Sequence, residues 1–251
     1  IGRATALALQ ESGYTVYELS RRAEGMPDIR HIVADITKEE TLQSAVEQVL
    51  AAEGRLDLVV NNAGFGISGA IEFTDTQEAQ RLFDTLFFGM VRMNRCVIPL
   101  MRQQGHGRIV NISSVAAPVP IPFQAYYSAG KAAINAYTMA LANELRPFGV
   151  TVCAVMPGDI KTGFTAARHK IIDGDDIYQG RIGRSVQRME HDEQTGMDPA
   201  KVGRYIAAVA SREGSHHPLY ATRIDYKFFV FLTKVLPARF LNWLIYQLYG
   251  K

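Results

Sequence analysis

The sequence has few of the residues that cross-link small secreted domains or bind metal ions. Only two of its 251 residues are cysteines, and Cys96 and Cys153 stand singly in apolar segments. A disulfide framework or a zinc site is therefore not expected, and reduced thiols fit a cytoplasmic protein. None of the six histidines stands at a spacing typical of metal ligands. They are His31, His106, His169, His191, His216 and His217. We predict no metal site.

A large charge of one sign and long apolar runs are also absent. The 27 basic and 25 acidic residues leave a formal net charge of +2, which is too small to indicate a nucleic-acid partner. No uninterrupted run reaches the roughly 18 apolar residues that a membrane-spanning helix needs. With 47% hydrophobic and 21% charged residues, the chain is typical of a globular protein. We predict one domain over residues 1–251.

Short β-branched runs alternate with longer helical patterns along the chain. The predicted strands are Thr15–Leu19, His31–Ala34, Leu56–Val60, Arg108–Ile112, Val150–Val155 and a weaker Leu219–Ile224. The predicted helices are Arg3–Ser12, Lys38–Glu53, Thr76–Gln104, Gln124–Arg146 and Pro199–Ser211. This alternation predicts an α/β fold with a doubly wound, mostly parallel sheet and helices on both faces.

Small, polar or charged residues follow five of the predicted strands directly. They are Ser20-Arg21-Arg22, Asp35-Ile36, Asn61-Asn62-Ala63-Gly64, Ser113-Ser114 and Pro157-Gly158. Because ligands of doubly wound sheets bind at the carboxyl ends of the strands, this pattern predicts a nucleotide crevice.

Tyr127 is the only tyrosine with a lysine four residues further on, Lys131, and Ser114 precedes it by thirteen residues. Residues at i and i+4 share a helix face, so the Lys131 ammonium can favour the phenolate of Tyr127 and lower its pKa from about 10 toward neutrality. Ser114 could donate a hydrogen bond to the same substrate oxygen. The spacing alone also fits an amphipathic helix with a solvated lysine, so the other segments must decide.

The ordered set of these motifs resembles the short-chain dehydrogenase/reductase family over nearly the whole chain. The matching residues are Ile1-Gly2, Asp35, Asn61 to Gly64, Ser114, Tyr127 to Lys131 and Pro157 to Thr162. The resemblance implies a Rossmann-type fold, a nicotinamide cofactor and hydride transfer between that cofactor and a carbonyl/alcohol pair. It also implies a homodimer or homotetramer, with a small-molecule substrate.

The resemblance assigns roles by position. Tyr127 would be the acid and base, Lys131 would support it and hold the nicotinamide ribose, and Ser114 would polarise the substrate oxygen. The expected cofactor-binding residues are Ile1, Gly2, Ser20, Arg21, Asp35, Ile36, Asn62, Ala63, Gly64, Tyr127, Lys131, Pro157, Gly158, Ile160 and Thr162.

The residues after the predicted strand Thr15–Leu19 bear on the choice of cofactor. An NAD site places an acidic residue there, whereas a 2′-phosphate needs a cation. Ser20, Arg21 and Arg22 supply cations and no carboxylate, so we predict NADP(H). The alternative is that both arginines are solvated turn residues.

This sequence departs from the family pattern in two places. The family has an asparagine in a proton relay where this chain has Leu86, whose side chain cannot form a hydrogen bond. An active enzyme remains the prediction, with an NADPH-binding regulatory protein of little or no turnover as the alternative. The chain also begins at Ile1-Gly2, in a helix, so the resemblance implies that the first strand is missing from this sequence and lies upstream in the native protein.

Two segments bear on the substrate. Residues 159–198 correspond to the variable region that covers the substrate in the family, and their glycines and charges suit a mobile lid. Residues 226–249 form an apolar C-terminal extension interrupted by Pro237 and charges. It could close an apolar pocket for a hydrophobic substrate, form an oligomer surface, or contact a membrane peripherally. This tail weakly resembles that of hydroxysteroid-dehydrogenase-like members.

Overall fold

The computed structural model describes residues 1–212 and 217–251, so His216 lies outside the described residues. The strands are β1 Tyr17–Ser20, β2 Arg30–Val33, β3 Leu58–Asn61, β4 Ile67–Ser68, β5 Gly107–Ile112, β6 Val150–Met156, β7 His169–Lys170 and β8 Leu219–Ala221. The helices are α1 Gly2–Glu11, α2 Glu39–Glu53, α3 Thr76–Phe83, α4 Gly89–Gln104, α5 Ala125–Leu145, α6 Phe164–Ala167, α7 Arg181–Gln194, α8 Pro199–Ala210, α9 Ile224–Val235 and α10 Ala238–Ile245.

All strand pairs of the described residues are parallel. The main sheet has the order β3-β5-β6-β8, β1 pairs with β2, and β4 pairs with β7. Within the part of the chain that the structure describes, β1 and β3 form no ladder with each other. Parallel strands joined through helices are the predicted doubly wound arrangement, which is confirmed.

Helices cover both faces of the main sheet. Side chains alternate across a strand, so the neighbours Ile109 and Val110 of β5 point to opposite faces. Ile109 packs in a core with residues of α2, α4 and α5, whereas Val110 packs in a second core with residues of α1 and α8. Both side chains are fully buried. The continuous apolar sequence of β5 and β6 is explained by this burial on two sides.

The structure differs from the predicted elements in three places. The predicted helix Thr76–Gln104 is divided into α3 and α4 by a π turn at Asp84–Phe88, which the unbroken helical periodicity does not reveal. Helix α7 is not among the predicted elements, because the glycines and charges of residues 159–198 favour a mobile lid. The last strand ends at Ala221, and the apolar residues from Ile224 onward begin α9 instead.

The structure bears on three features that the sequence does not predict: a disulfide, a metal site and a membrane-spanning helix. Cys96 and Cys153 are free thiols. No group of three or more potential metal ligands occurs in residues 1–212 and 217–251. Across the same residues, none of the helices combines the length and the hydropathy that crossing a bilayer demands.

Candidate active site

Three of the five polar strand ends, those after β3, β5 and β6, converge on one cleft of about 380 Å³. It opens beyond the carboxyl ends of β3, β5 and β6, where the fold predicts a ligand site. Ten of the predicted site residues line it: Ser114, Tyr127, Lys131, Ile1, Asn62, Gly64, Pro157, Gly158, Ile160 and Thr162. A wider depression of about 600 Å³ lies between α1 and α8, but none of the predicted site residues lines it. We therefore take the smaller cleft as the candidate active site.

Helix α5 and the end of β5 hold the predicted catalytic trio together. The Ser113 hydroxyl donates to the Lys131 carbonyl over 3.1 Å, and the Ser113 amide donates to the Val155 carbonyl over 2.8 Å. These bonds fasten α5 to two neighbouring strands of the sheet. Because Tyr127 and Lys131 are four residues apart on α5, both side chains face the cleft.

Burial raises the pKa of the Tyr127 phenol to about 12, although a hydrogen bond with Ser114 acts to lower it. The Glu193 carboxylate raises this pKa further, and the Arg168 guanidinium lowers it. The structure thus brings Ser114 and Tyr127 into hydrogen-bond contact. A phenol in this state is protonated near neutral pH.

Lys131 lies beside Tyr127, but its charge is not directed at the phenol as the spacing suggested. Its Nζ atom is 5.6 Å from the centre of the Tyr127 ring and donates to the Ile112 carbonyl over 2.7 Å. Burial lowers the pKa of Lys131 to about 7, so the amine is only partly charged at neutral pH. The predicted lowering of the Tyr127 pKa is therefore not found here, because desolvation acts on both groups.

The start of α1 forms the other end of the cleft. Ile1 stands at the N-cap position, and no side chain caps the free backbone amides of the first turn. A Cβ atom placed on Gly2 would lie 2.7 Å from Nδ2 of Asn62. Only glycine therefore allows the helix start to approach Asn62 this closely. An uncapped helix N-terminus beside a polar strand end is suited to a pyrophosphate, so these residues fit a dinucleotide.

Asp35 and Ile36 do not line the cleft but lie at the end of β2. Asp35 accepts from the amide and the hydroxyl of Thr37 at 2.9 and 2.8 Å, and this backbone hydrogen bond is the main reason that the pKa of Asp35 is lowered. Ile36 packs against Gly89, where a Cβ atom would come within 2.5 Å of it. Ala63, also outside the cleft lining, is exposed.

Ser20 and Arg21 end β1, and the structure distinguishes Arg21 from Arg22. Arg22 forms an ion pair with Glu18 and donates to the Ser20 hydroxyl, whereas Arg21 has no ion pair among the described residues. Arg21 is near enough to Asp35 to lower its pKa. Glu18 is a carboxylate close to this site that the sequence reasoning did not consider, and Arg22 neutralises it.

Leu86 lines the cleft from within the π turn and is 2% exposed. A Cβ atom on Gly64 would lie 2.4 Å from a methyl group of Leu86, so the two segments are in direct contact. Leu86 also packs with Ile67, Leu82 and Ile171 in a small apolar core. The position that the resemblance assigns to a relay asparagine is thus filled by a buried hydrocarbon side chain.

Sequence reasoning missed one wall of the cleft. It is formed by Asp159, Phe164, Met189, Glu193 and Tyr249. The ring of Phe164 lies 5.6 Å from that of Tyr127. These residues come from the predicted covering segment 159–198 and from the C-terminal extension, so their region was identified but not their individual roles. Asp159 lies within the motif Pro157 to Thr162, but no local motif marks the other four, because tertiary packing brings them to this cleft.

A buried ion pair supports this wall. Arg168 has a fully buried side chain that pairs with Glu193, and Glu193 also accepts from the Thr165 hydroxyl over 2.6 Å. The Tyr226 hydroxyl donates to Asp159 Oδ2 and accepts from the Asp159 amide, each over 3.0 Å. Burial raises the pKa of Asp159. The covering segment is therefore joined both to the cleft and to the C-terminal helices.

Comparison with known proteins identifies the family. A family model described as short chain dehydrogenase matches residues 1–171. The chain belongs to the short-chain dehydrogenase family. It is an oxidoreductase of that family, which acts on small molecules and whose fold binds NAD or NADP.

Two relatives and one solved structure are similar to this chain over different shares of its length. The chain is 38% identical over 246 residues to a 3-ketodihydrosphingosine reductase of Bacteroides thetaiotaomicron, covering 97% of this chain and 88% of that protein. It is 34% identical over 169 residues to an NADPH-dependent 1-acyldihydroxyacetone phosphate reductase of Schizosaccharomyces pombe, covering 64% of this chain and 56% of that protein. A short-chain dehydrogenase structure from Streptomyces avermitilis superposes with a TM-score of 0.82 at 32% identity, covering 92% and 86%.

Proposed function

We propose that this dehydrogenase reduces a ketone carried by a long-chain lipid, with NADPH as the reductant and Tyr127 as the proton donor. The observation that carries the proposal is the contact between the hydroxyls of Ser114 and Tyr127 beside Lys131 in one cleft. The bound nicotinamide would supply the hydride. Ile160 and Thr162 would hold its carboxamide, the start of α1 would hold the pyrophosphate, and Asp35, Ala63 and Gly64 would border the adenosine.

The proton chemistry follows from the two hydroxyls. Ser114 would donate a hydrogen bond to the substrate oxygen and stabilise the negative charge that develops on it. Tyr127, whose pKa of about 12 keeps it protonated, would transfer its proton to that oxygen. Lys131, with a pKa of about 7, would be the source of the proton that restores Tyr127, relayed by a group between them because its Nζ atom donates to the Ile112 carbonyl. The protonated resting state of Tyr127 favours the reductive direction.

The cleft wall supports a lipid ketone as the substrate class. Val115, Ile121, Phe164, Ala167 and Met189 give the cleft an apolar wall beside the polar catalytic end. Both curated relatives described above carry names of reductases for ketones on long-chain lipids. Asp159 has no ion pair in the described residues and lies on the same cleft. Its carboxylate favours a substrate with a positive charge near the ketone, such as a 3-ketosphingoid base.

The central test uses 3-ketodihydrosphingosine in detergent micelles and follows the consumption of NADPH. We expect turnover in the native enzyme and a loss of about 100-fold to 10,000-fold in kcat/KM for Tyr127→Phe, because a positioned acid contributes that much. NADPH affinity, measured by fluorescence titration, should stay near native. Tyr126→Phe is the matched control, since Tyr126 is the neighbouring tyrosine on α5 and does not line the cleft. Equal rates for both variants would contradict the role of Tyr127.

The cofactor preference has its own test. Arg21→Ala should weaken NADPH binding by about 10-fold or more and leave NADH binding unchanged, because a guanidinium binds a 2′-phosphate through charge-assisted hydrogen bonds. Arg204→Ala is the control, because Arg204 is an exposed arginine of α8 that does not line the cleft. Titration of both variants with both cofactors measures the effect. Tighter native binding of NADH than of NADPH would refute the assignment.

The buried Leu86 favours a second candidate, an NADPH-binding regulatory protein with little or no turnover. In that case NADPH would bind, no ketone of a panel of sphingoid, steroid, retinoid and acyl ketones would be reduced, and Tyr127→Phe would leave the biological effect intact. Reduction of any of these ketones that is lost in Tyr127→Phe would exclude this candidate.

A further inference from the structure

The C-terminal helices leave an unusual amount of apolar side chain exposed. Helix α9 contains no buried residue, although most of its residues are apolar. Ile224, Phe228, Phe231 and Val235 are 83, 58, 55 and 55% exposed. Helix α10 and the turn after it add a second exposed set, Phe240, Trp243, Tyr246 and Leu248. We call these eight side chains the tail surface.

The exposed residues of α9 form one face. Ile224, Phe228, Phe231 and Val235 follow the spacing i, i+4, i+7 and i+11, which places them on a single stripe of a helix. In an ordinary surface helix this outward stripe is polar and the inward stripe is apolar. On α10, Phe240 and Trp243 extend the apolar area with rings stacked 5.8 Å apart. The tail surface is therefore a built apolar face rather than a scatter of exposed residues.

Positive charge accompanies this face. Lys227, Lys234 and Arg239 are exposed and form no ion pair within the described residues. Lys227 and Lys234 lie on one flank of the α9 stripe, at the positions before Phe228 and Val235. From residue 226 to residue 251 the sequence contains no aspartate or glutamate. Apolar and aromatic side chains with lysine and arginine at their border are the pattern of interfacial helices that bind anionic lipid surfaces.

The same composition argues against a second copy of the chain as the occupant. A two-fold contact places the same surface on both sides of the interface. Lys227, Lys234 and Arg239 would then face like charges, without a carboxylate from the segment to pair with them. An anionic bilayer supplies the opposite charge together with an apolar phase.

The tail surface is connected to the catalytic cleft. The ring of Tyr226 from α9 packs where a Cβ atom of Gly158 would stand, at 2.0 Å, and its hydroxyl bonds to Asp159. Tyr249, from the turn after α10, lines the cleft and bonds to Asp192 Oδ2 over 3.0 Å. The segment that carries the apolar face therefore contributes Tyr249 to the cleft wall, and through Tyr226 it contacts the cleft residues Gly158 and Asp159.

We propose that the tail surface docks the enzyme on the anionic face of a lipid bilayer, with the cleft beside the membrane from which a lipid ketone enters. The docking itself stands on the tail surface alone, and only the entry of the ketone rests on the proposed function.

The test measures co-sedimentation of the full chain with vesicles of phosphatidylcholine, with and without phosphatidylserine. We expect binding that requires the anionic lipid. Lys227→Gln/Lys234→Gln/Arg239→Gln should weaken it by about 100-fold, because each basic residue near a charged bilayer contributes a factor of roughly five. Lys201→Gln/Arg204→Gln/Arg212→Gln is the matched control. It removes the same charge from exposed residues in and just after α8 and should bind like the native chain.

A second variant and a second readout separate the possible outcomes. Phe228→Gln/Phe231→Gln should abolish vesicle binding while leaving the far-UV circular dichroism and NADPH affinity unchanged, since both side chains point to solvent. Tyr127→Phe should bind vesicles like the native chain even though its turnover is lost, so that docking and catalysis are tested apart. Failure of the native chain to bind phosphatidylserine vesicles would overturn the proposal. So would a native dimer that Phe228→Gln/Phe231→Gln converts to monomers, since the tail surface would then join two copies.

Discussion

Two residues of the cleft, Tyr127 and Lys131, show how burial can outweigh a favourable charge pair. Their positions on α5 follow directly from the sequence, and the structure places both side chains on the cleft. The spacing of the two residues predicts that the Lys131 ammonium favours the phenolate of Tyr127. In the structure both groups are desolvated, and each pKa moves toward the neutral form. The proximity of the two side chains was predictable from the sequence, but their protonation states were not.

The lowered pKa of Lys131 predicts a pH-dependent stability. A buried lysine with a folded pKa of about 7 has lost its proton where the unfolded chain, near pKa 10.5, still holds it. The unfolded state therefore binds more protons between these values, and native stability rises with pH across that window by at most about 1.4 kcal/mol per pH unit. Lys131→Met removes the buried charge. It should be more stable than the native chain at pH 7, and its advantage should shrink toward about pH 9.

Urea denaturation at several pH values measures this advantage. Lys201→Met, which changes an exposed lysine on α8, should show no such dependence. A constant difference between Lys131→Met and the native chain from about pH 7 to pH 9 would mean that the Lys131 ammonium is well solvated.

At the scale of elements, the π turn between α3 and α4 is the feature that the sequence concealed. A π turn inserts one residue into a helix and shifts the phase of its apolar pattern by about 100°. Apolar residues occur on more than one side of this segment, so the shift is not visible in the sequence. The turn places Leu86 in contact with Gly64 and in the apolar core of Ile67, Leu82 and Ile171. The π turn forms here with a leucine at position 86. Because a leucine side chain has no hydrogen-bonding group, only the backbone of residue 86 can provide a polar group for the relay.

This placement predicts the effect of Leu86→Asn. The variant should lower the free energy of unfolding by about 2–4 kcal/mol, because an amide replaces a buried hydrocarbon chain that is surrounded by apolar residues. Its kcat should stay within about threefold of the native value if the native relay works without a side chain at this position. Leu86→Met is the control for volume and should cost less than about 1.5 kcal/mol. A many-fold increase in kcat for Leu86→Asn would show that the native relay is impaired.

At the scale of the whole molecule, two exposed apolar regions suggest different partners. The tail surface combines aromatic residues with positive charge. Helix α5, in contrast, exposes a stripe of three alanines and one methionine at i, i+4, i+7 and i+8. They are Ala132, Ala136, Met139 and Ala140. A stripe of this kind allows close approach of a second helix. The predicted dimer or tetramer is therefore expected through α5, and the membrane through the tail surface.

Light scattering of the purified protein can test this division. We expect a native dimer or tetramer at micromolar concentration, and monomers for Ala136→Arg/Met139→Glu, because large charged side chains would separate the paired helices. Phe228→Gln/Phe231→Gln should keep the native mass. A native monomer would contradict the predicted oligomer. If only Phe228→Gln/Phe231→Gln formed monomers, the tail surface and not α5 would be the oligomer interface.

Much of the cleft was predictable because its residues follow strands or share one helix. The periodicity of β3, β5 and β6 predicts that Asn62, Ser114 and Gly158 emerge at one edge of the sheet, and helical spacing joins Tyr127 to Lys131. These relations depend on backbone geometry that neighbouring residues determine. The sequence by itself therefore determined the fold class and the grouping of Ser114, Tyr127 and Lys131 in one cleft with most of the predicted cofactor-binding residues.

Only the tertiary structure decided which distant segments complete that cleft and which apolar residues remain exposed. Phe164, Glu193 and Tyr249 reach Tyr127 through the packing of α6, α7 and the turn after α10, and no local pattern encodes that packing. Composition alone cannot say whether an apolar helix such as α9 is buried or exposed, because both cases draw on the same residue types. Burial depends on what else the chain folds against the helix, and here Phe228 and Phe231 remain in contact with solvent.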